Sequence, residues 1–216
     1  MQSLRVIKLG GSLLDWPGLR DAFRRWRALE PPARDLLIVG GGAAADAIRE
    51  LDRLHQLGDD ASHRLAIQAM QLNAEVAREL WPEAAWCEEL DGIRCNSPGL
   101  WVLRAWPALA DESQSRVGPP LPHSWDVTSD SIAAWLASAL GADELVLLKS
   151  SLPANSDVSA AVDAGFVDRY FARASRGLRR IRVVNPRAPE FPSRELTPVA
   201  DATGSPSTGS SRPEVE

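Results

Sequence analysis

A lysine at the end of an apolar run is the first feature of this chain that can do chemistry. Lys8 interrupts the apolar residues 4–9, and Gly10-Gly11-Ser12 follow directly. Glycines let backbone N–H groups approach an anion closely, and a buried ammonium group needs a partner of opposite charge. The stretch predicts a phosphate held at a strand end. The alternative is a lysine paired with a carboxylate beside an ordinary tight turn.

A second glycine cluster, Gly40-Gly41-Gly42, follows the next apolar run and precedes an alanine-rich helical segment. Parallel sheets bind ligands at the carboxyl ends of their strands. Two such corners on neighbouring strands can face each other across one cleft, which would suit two phosphate-bearing ligands. Neither cluster is a Walker A loop or a dinucleotide-binding fingerprint.

A candidate partner for the lysine lies at the start of a well-defined helical segment. Asp130 follows Thr128 and Ser129, either of which can cap that helix. Asp130 either serves only the helix dipole or orients Lys8 in a cleft. Asp126 is a second possible partner. Lys149, after the following apolar run, is either a second lysine at a strand mouth or a solvated residue.

Alternating periodicities predict an α/β fold, a three-layer αβα sandwich with a mainly parallel open sheet. We expect strands at residues 4–9, 35–39, around 86, 100–103, 144–148 and 181–184, and helices at 20–29, 43–54, 62–80, 131–140 and 167–175. The helical periodicity of residues 62–80 rests on apolar positions among which we count Leu72, Asn73 and Val76. Residues 1–200 are predicted to form a single domain. Residues 201–216, rich in Ser, Gly, Pro and Thr, are predicted to be a disordered tail.

Composition excludes several classes of function. The formal net charge of −5 argues against a broad nucleic-acid surface. Cys87 and Cys95 fit neither a disulfide framework nor a CxxC metal site, so both are expected to be reduced thiols. No apolar run approaches the length of a membrane span. These features favour a cytoplasmic protein with no nucleic-acid or membrane partner.

Taken together, three motifs are similar to those of the amino acid kinase family. They are Val6–Ser12, the triple glycine, and Thr128–Ala133 followed by Gly141–Leu148, in an arrangement that covers roughly residues 4–185. The resemblance implies a carbamate kinase-like fold and transfer of the γ-phosphoryl group of ATP to a carboxylate, carbamate or phosphate oxygen. It implies Mg²⁺ carried by the ATP, with no protein metal ligand, and a homo-oligomer.

The resemblance also implies roles for individual residues. Lys8 would bind the transferring phosphoryl group, and Asp130 would orient the lysines without acting as a base. The nucleotide-binding residues would be Lys8, Gly10, Gly11, Ser12, Lys149 and Ser150. Gly40, Gly41 and Gly42 would hold the acceptor.

A narrower similarity concerns the acceptor. Residues 61–70 and 123–125 resemble the phosphate kinases of methanofuran biosynthesis, which implies a phosphomonoester acceptor in the synthesis of a C1-carrier cofactor. On this basis His63, Arg64, His123 and Trp125 are candidate acceptor-binding residues.

The chain departs from the family pattern after residue 149. Many members carry a glycine-rich segment with a second catalytic lysine, and nothing in this sequence matches it, so Lys149 is the candidate substitute. Two alternatives to a phosphomonoester kinase stay open. One is an amino-acid carboxylate kinase, and the other is a non-catalytic small-molecule sensor or partner subunit that kept the fold.

Overall fold

The computed structural model describes residues 3–90, 97–109 and 118–198. Seven strands form one sheet in the order β3-β4-β2-β1-β5-β6-β7. The strands are β1 (Leu4–Leu9), β2 (Arg34–Val39), β3 (Ala85–Cys87), β4 (Gly99–Leu103), β5 (Glu144–Leu148), β6 (Ile181–Val184) and β7 (Ser193–Leu196). All neighbours pair in parallel except β6 and β7, which pair antiparallel. The predicted α/β class and mainly parallel sheet are confirmed.

Helices cover both faces of this sheet. They are α1 (Leu19–Leu29), α2 (Gly42–His55), α3 (Asp59–Leu80), α4 (Ala105–Ala108), α5 (Ser129–Ala139), α6 (Val158–Asp163) and α7 (Phe171–Ala174), with a short 3-10 turn at Gly11–Leu13. Helix α1 buries Leu19, Ala22, Phe23 and Trp26, a spacing that puts all four on one stripe. It ends just before Pro31, whose ring disfavours helical geometry in the preceding residue.

Two hydrophobic cores lie on opposite faces of the sheet. One joins α5 and the short helices α6 and α7 to side chains such as Val6, Ile38 and Leu147. The other joins α1 to side chains such as Ile7 and Leu148. Side chains alternate between faces along a strand, so Lys8 lies on the α5 face with Val6.

Two sequence predictions about helices are wrong in detail. The apolar face assigned to α3 included Leu72 and Val76, but these side chains are 58% and 43% exposed. Small residues such as Ala69, Ala74 and Ala77 are buried instead. The helix predicted at 167–175 is only the single turn α7. Helix α6, strand β7 and the turn α4 were not predicted, because each is too short to show a periodicity.

Some predictions concern residues outside the described ranges. These are the thiol of Cys95 and the tail 201–216, and the extent of the domain stays a prediction with them. Cys87 is buried and forms no disulfide, and burial raises the pKa of its thiol to about 11. In the described parts of the chain, no helix combines the length and apolar character needed to cross a membrane.

Candidate active site

Two lysines and one aspartate form a buried charge cluster at the carboxyl edge of the sheet. Lys8 Nζ lies 2.8 Å from Asp130 Oδ1 and Lys149 Nζ lies 2.8 Å from Asp130 Oδ2. Lys8 and Asp130 are 6% and 5% exposed. Each carboxylate oxygen therefore holds one ammonium group, and the cluster keeps a net charge of one positive unit. We call these three residues the lysine–aspartate triad.

The fold brings the three side chains of the triad together. Lys8 pairs in register with Leu147 of β5, and Lys149 lies two residues beyond Leu147, so both lysines point to the same face of the sheet. Helix α5 packs on that face and begins with Ser129 and Asp130. The Asp130 carboxylate therefore lies between the two strand ends. Asp126, the other candidate partner, lies 3.5 Å from exposed Arg169 instead.

The triad shifts the proton affinities of its members. Burial would raise the pKa of the Asp130 carboxyl, but the charges of Lys8 and Lys149 outweigh it and hold that pKa below its usual range. Burial, helped by the like charge of Lys8, lowers the pKa of the Lys149 ammonium group although Asp130 opposes the shift. Lys149 also donates a hydrogen bond to the carbonyl of Phe166 and lies 4.6 Å from its ring centroid.

A second aspartate anchors the start of α5. Asp168 accepts hydrogen bonds from the Thr128 amide (3.0 Å), the Thr128 hydroxyl (2.7 Å) and the Ser131 amide (3.0 Å), and another from the Ser131 hydroxyl. Thr128 is the N-cap residue, yet its hydroxyl bonds Asp168 rather than the helix. The predicted cap is thus replaced by a carboxylate from a distant loop, which fixes the turn that carries Asp130.

The two glycine corners touch one another. A Cβ atom on Gly11 would lie 2.3 Å from the Cα and N atoms of Gly42, and one on Gly40 would lie 2.9 Å from Ser129 Oγ. Gly42 has a φ of +49°, a conformation that glycine adopts without cost. Residue 11 must therefore lack a side chain so that the two strand ends can meet.

The amide groups divide the glycines into two sets. Gly10 N donates to Leu148 O and Gly40 N to Leu9 O, both at 2.9 Å, so these two glycines extend the sheet and cannot offer N–H groups to a phosphate. The amides of Gly11 and Ser12 bond no group within the described ranges. The N–H groups predicted for Gly10 are therefore unavailable, while Gly11 and Ser12 keep the predicted capacity.

Asn73 fixes the second corner. Its side-chain amide donates to the carbonyls of Gly40 (2.7 Å) and Gly41 (2.8 Å). In the sequence pattern this residue falls among the apolar positions of its helix. The sequence did contain a signal for this role, because Asn73 is a polar residue at a helical position that should be buried.

A cavity of about 150 Å³ opens beside this corner, between α2, α3 and α5. Its lining is largely apolar and includes Ala66, Ile67, Met70 and Ile132, together with Gly41, Gly42 and the polar side chains of Asp46, Arg49, His63 and Trp125. Each of its walls comes from a different element, so the cavity exists only once the layers have packed.

The acceptor residues predicted from sequence fall into three groups. His63 and Trp125 line the cavity. His123 stacks on His63 with ring centroids 4.3 Å apart and contacts Asp60 at 2.7 Å, so it supports the wall. Arg64 is exposed on α3 and is not among the lining residues.

Arg49 is a lining cation that sequence reasoning missed. Its guanidinium group lies 4.6 Å from the centroid of the Trp125 ring, and the Trp125 indole in turn donates to Asp52 at 2.8 Å. Arg49 lies among other charged residues of an exposed helix, so no sequence signal distinguished it. The triad, in contrast, had one: Lys8 and Lys149 are the two lysines of a chain with 22 arginines.

Metal ligands are scarce around the triad. Asp130 gives both oxygens to lysines and Asp168 accepts four hydrogen bonds, so neither carboxylate is available to a cation. Across the described ranges no cluster of three or more His, Cys, Asp or Glu side chains could hold a metal ion.

The overall architecture matches solved kinases. The uridylate kinase from Archaeoglobus fulgidus aligns with a TM-score of 0.57 and 17% identity, covering 85% of this chain and 90% of that one. The aspartate kinase from Synechocystis aligns with a TM-score of 0.63 and 14% identity, covering 93% of this chain and 41% of that one. At such low identities these similarities establish the fold.

Sequence similarity points to one curated protein. Over 146 residues the chain is 28% identical to the [5-(aminomethyl)furan-3-yl]methyl phosphate kinase of Methanocaldococcus jannaschii, which covers 67% of this chain. The chain spans 64% of the length of that relative. No protein-family model matches the chain. The resemblance to the amino acid kinase family is confirmed by the fold and by this relative.

Proposed function

We propose that this chain is an ATP-dependent kinase that phosphorylates a small phosphomonoester. The observation that carries the proposal is the triad, in which two buried ammonium groups share one carboxylate beside two interlocked glycine corners. This arrangement suits phosphoryl transfer, which needs in-line positioning and compensation of charge more than covalent help from the protein.

Each part of the site has a role in the proposed reaction. The γ-phosphorus of ATP would bind an acceptor oxygen while its bond to the ADP oxygen breaks. Lys8 would stabilise the transferring group, and Lys149 would stabilise charge on the nucleotide side with Ser150 beside it. Asp130 would hold both ammonium groups in place. A phosphomonoester is largely ionised near pH 7 because its second pKa is about 6, so the reaction needs no general base.

The residues at the site fit a nucleotide better than a bare cation. The amides of Gly11 and Ser12 point to no described partner, and the carboxylates nearby are fully engaged. Mg²⁺ would therefore enter with the ATP phosphates, whose charge it would partly neutralise. The glycines Gly41 and Gly42 open a helix of 14 residues, whose positive dipole end favours an acceptor phosphate.

The cavity supports an acceptor with one small ring. An engineered cavity of about 150 Å³ in another protein binds benzene, and the cavity beside Gly41 has that volume and a mainly apolar lining. The curated relative is named for a phosphate ester of a single aminomethylfuran ring. A related phosphomonoester, used in the synthesis of a methanofuran-type C1 carrier, is the acceptor we propose. A cytoplasmic location and a homo-oligomeric state stay predictions.

Removal of one ammonium group or of the shared charge tests the proposal. With Lys8→Ala we expect turnover, measured as ADP release with a panel of phosphomonoesters, to fall by about 10²–10³ or more, since preorganised charge stabilisation is lost. Asp130→Asn keeps the shape of the side chain and removes its charge, and we expect a comparable loss. The exposed Arg179→Ala, at the opposite edge of the sheet, is the control.

The results separate the alternatives. Near-normal turnover of Lys8→Ala would contradict the proposed role of the triad. Binding of ATP without turnover on any acceptor would favour the non-catalytic sensor. Turnover on amino-acid carboxylates but not on phosphomonoesters would favour the carboxylate kinase.

A further inference from the structure

A cationic side chain outside the triad lies against the first glycine corner. Arg187 follows strand β6, whose neighbour β5 ends one residue before Lys149. Its Nη2 atom donates to the carbonyl of Ser12 at 3.0 Å. The guanidinium group is thereby held beside the turn whose amides are available to a phosphate.

Two further contacts position this arginine. The Arg187 guanidinium lies 5.8 Å from the centroid of the Trp16 ring, a cation–π distance. That ring is itself packed against Gly18, where a Cβ atom would approach it to 2.6 Å. The backbone N–H of Arg187 donates to Asn185 Oδ1 at 3.0 Å. The Asn185 side chain therefore helps to order the loop that carries Arg187.

The charge of Arg187 has no counter-ion among the described residues. Within the described parts of the chain it forms no ion pair, and its side chain is exposed. A guanidinium group has five N–H donors, of which the Ser12 carbonyl takes one. By comparison, the triad has two cations and one anion and so offers one net positive charge to a triphosphate that carries several negative charges.

We propose that Arg187 binds the phosphate chain of the donor nucleotide, beyond the phosphoryl group that is transferred. This inference rests on the proposed kinase function. Lys8 and Lys149 compensate the reacting end, and Arg187 supplies charge to the phosphates that remain with the leaving ADP. The fork of a guanidinium group can contact two phosphate oxygens at once. Arg187 is thus a nucleotide-binding residue from a strand end that no sequence motif marked.

Calorimetric titration of the full chain with MgATP tests this inference. We expect Arg187→Ala to raise the Kd for MgATP about tenfold or more, because charge-assisted hydrogen bonds are lost. Arg187→Lys keeps the charge without the fork and should give a smaller increase. The control Arg179→Ala removes an exposed arginine from the opposite sheet edge and should change the Kd less than twofold.

Adenosine distinguishes phosphate binding from a general loss of the site. Because adenosine carries no phosphate, its affinity should be the same in the wild type and in Arg187→Ala. An unchanged Kd for MgATP in Arg187→Ala, or an equal loss of adenosine affinity, would overturn the assignment. If the wild-type chain binds MgATP but turns over no acceptor, the kinase proposal fails while the Kd comparison still decides the role of Arg187. No binding of MgATP by the wild type would overturn both.

Discussion

At the scale of single residues, the chain separates its two kinds of cation. The arginines of the described ranges are mostly at the surface or in ion pairs along the amino edge of the sheet, such as Arg5 with Asp35 and Arg182 with Glu30. Its two lysines both contact Asp130. An ammonium group is a compact point charge whose pKa shifts readily on burial, unlike that of a guanidinium group. The residue type therefore matches the demands of the buried site.

Because the chain has two lysines, the pKa of Lys149 can be measured directly. Protein labelled with ¹³C at lysine Cε should give two lysine signals, and the signal lost in Lys149→Arg identifies residue 149. We expect that signal to titrate below the ordinary lysine pKa of about 10.4, because burial and the charge of Lys8 lower the pKa of Lys149.

The same titration gives the sign of the Asp130 contribution. The Asp130 carboxylate raises the pKa of Lys149, so Asp130→Asn should lower that pKa further. Activity that requires the charged form of Lys149 should then decline at a lower pH in Asp130→Asn than in the wild type. A Lys149 signal at the ordinary lysine pKa, or an upward shift in Asp130→Asn, would contradict the buried triad.

At the scale of elements, sequence patterns predicted the parts of the fold with long or regular signals. Strands β1, β2 and β5 and helices α1 and α5 were predicted to within about two residues at their ends, the usual uncertainty of such boundaries. The face of α3 that is buried was not predicted correctly. That face uses alanines at 69, 74 and 77, while the larger Leu72 and Val76 are exposed. Close packing against β2 favours small residues there, which a count of hydrophobic side chains ranks too low.

The residues of the candidate site also divide into those that lie in local sequence motifs and those that depend on distant contacts. Lys8, Asp130 and the glycine corners lie in local motifs, so the sequence could single them out as candidates. Asp168, Asn73 and Arg187 act through contacts made by residues 32 to 175 positions apart. No local pattern encodes such contacts, because each depends on how distant loops come together at the carboxyl edge of the sheet.

The contact between the two glycine corners predicts the cost of adding one methyl group. In Gly11→Ala the new Cβ would lie 2.3 Å from backbone atoms of Gly42, which cannot rotate away as a side chain would. We expect a loss of about 1–3 kcal/mol in the free energy of unfolding and a loss of turnover, measured by urea denaturation and ADP release.

Gly118→Ala is the matched control. Its Cβ would lie 3.5 Å from the nearest atom, Trp135 Nε1, an ordinary van der Waals contact. We expect a change within about 0.5 kcal/mol there. Equal stability of the two variants would show that the corners do not interlock.

At the scale of the whole molecule, the sheet separates the two proposed ligand sites. The carboxyl ends of β1, β5 and β6 carry Lys8, Lys149 and Arg187, which are the residues proposed for the nucleotide. The carboxyl end of β2 leads to α2 and the apolar cavity. The strand order places β1 between β2 and β5, so Lys8 stands at the boundary between the halves, where a phosphoryl group would have to cross.

The size of that cavity predicts which acceptors the chain discriminates. Phosphomonoesters whose body is one small ring should have the highest kcat/KM, and nucleoside monophosphates should be poor acceptors because a nucleoside exceeds about one ring in volume. Ala66 lines the cavity from α3, so Ala66→Leu should raise the KM for the preferred acceptor by at least about 10–200-fold, the range for a misfit of one methylene group in an apolar pocket. The KM for ATP should stay unchanged.

Gln68→Leu is the control, because it introduces the same side chain on the exposed face of that helix and should alter neither KM. Equal effects of the two leucines, or uridylate among the best acceptors, would show that the acceptor binds elsewhere.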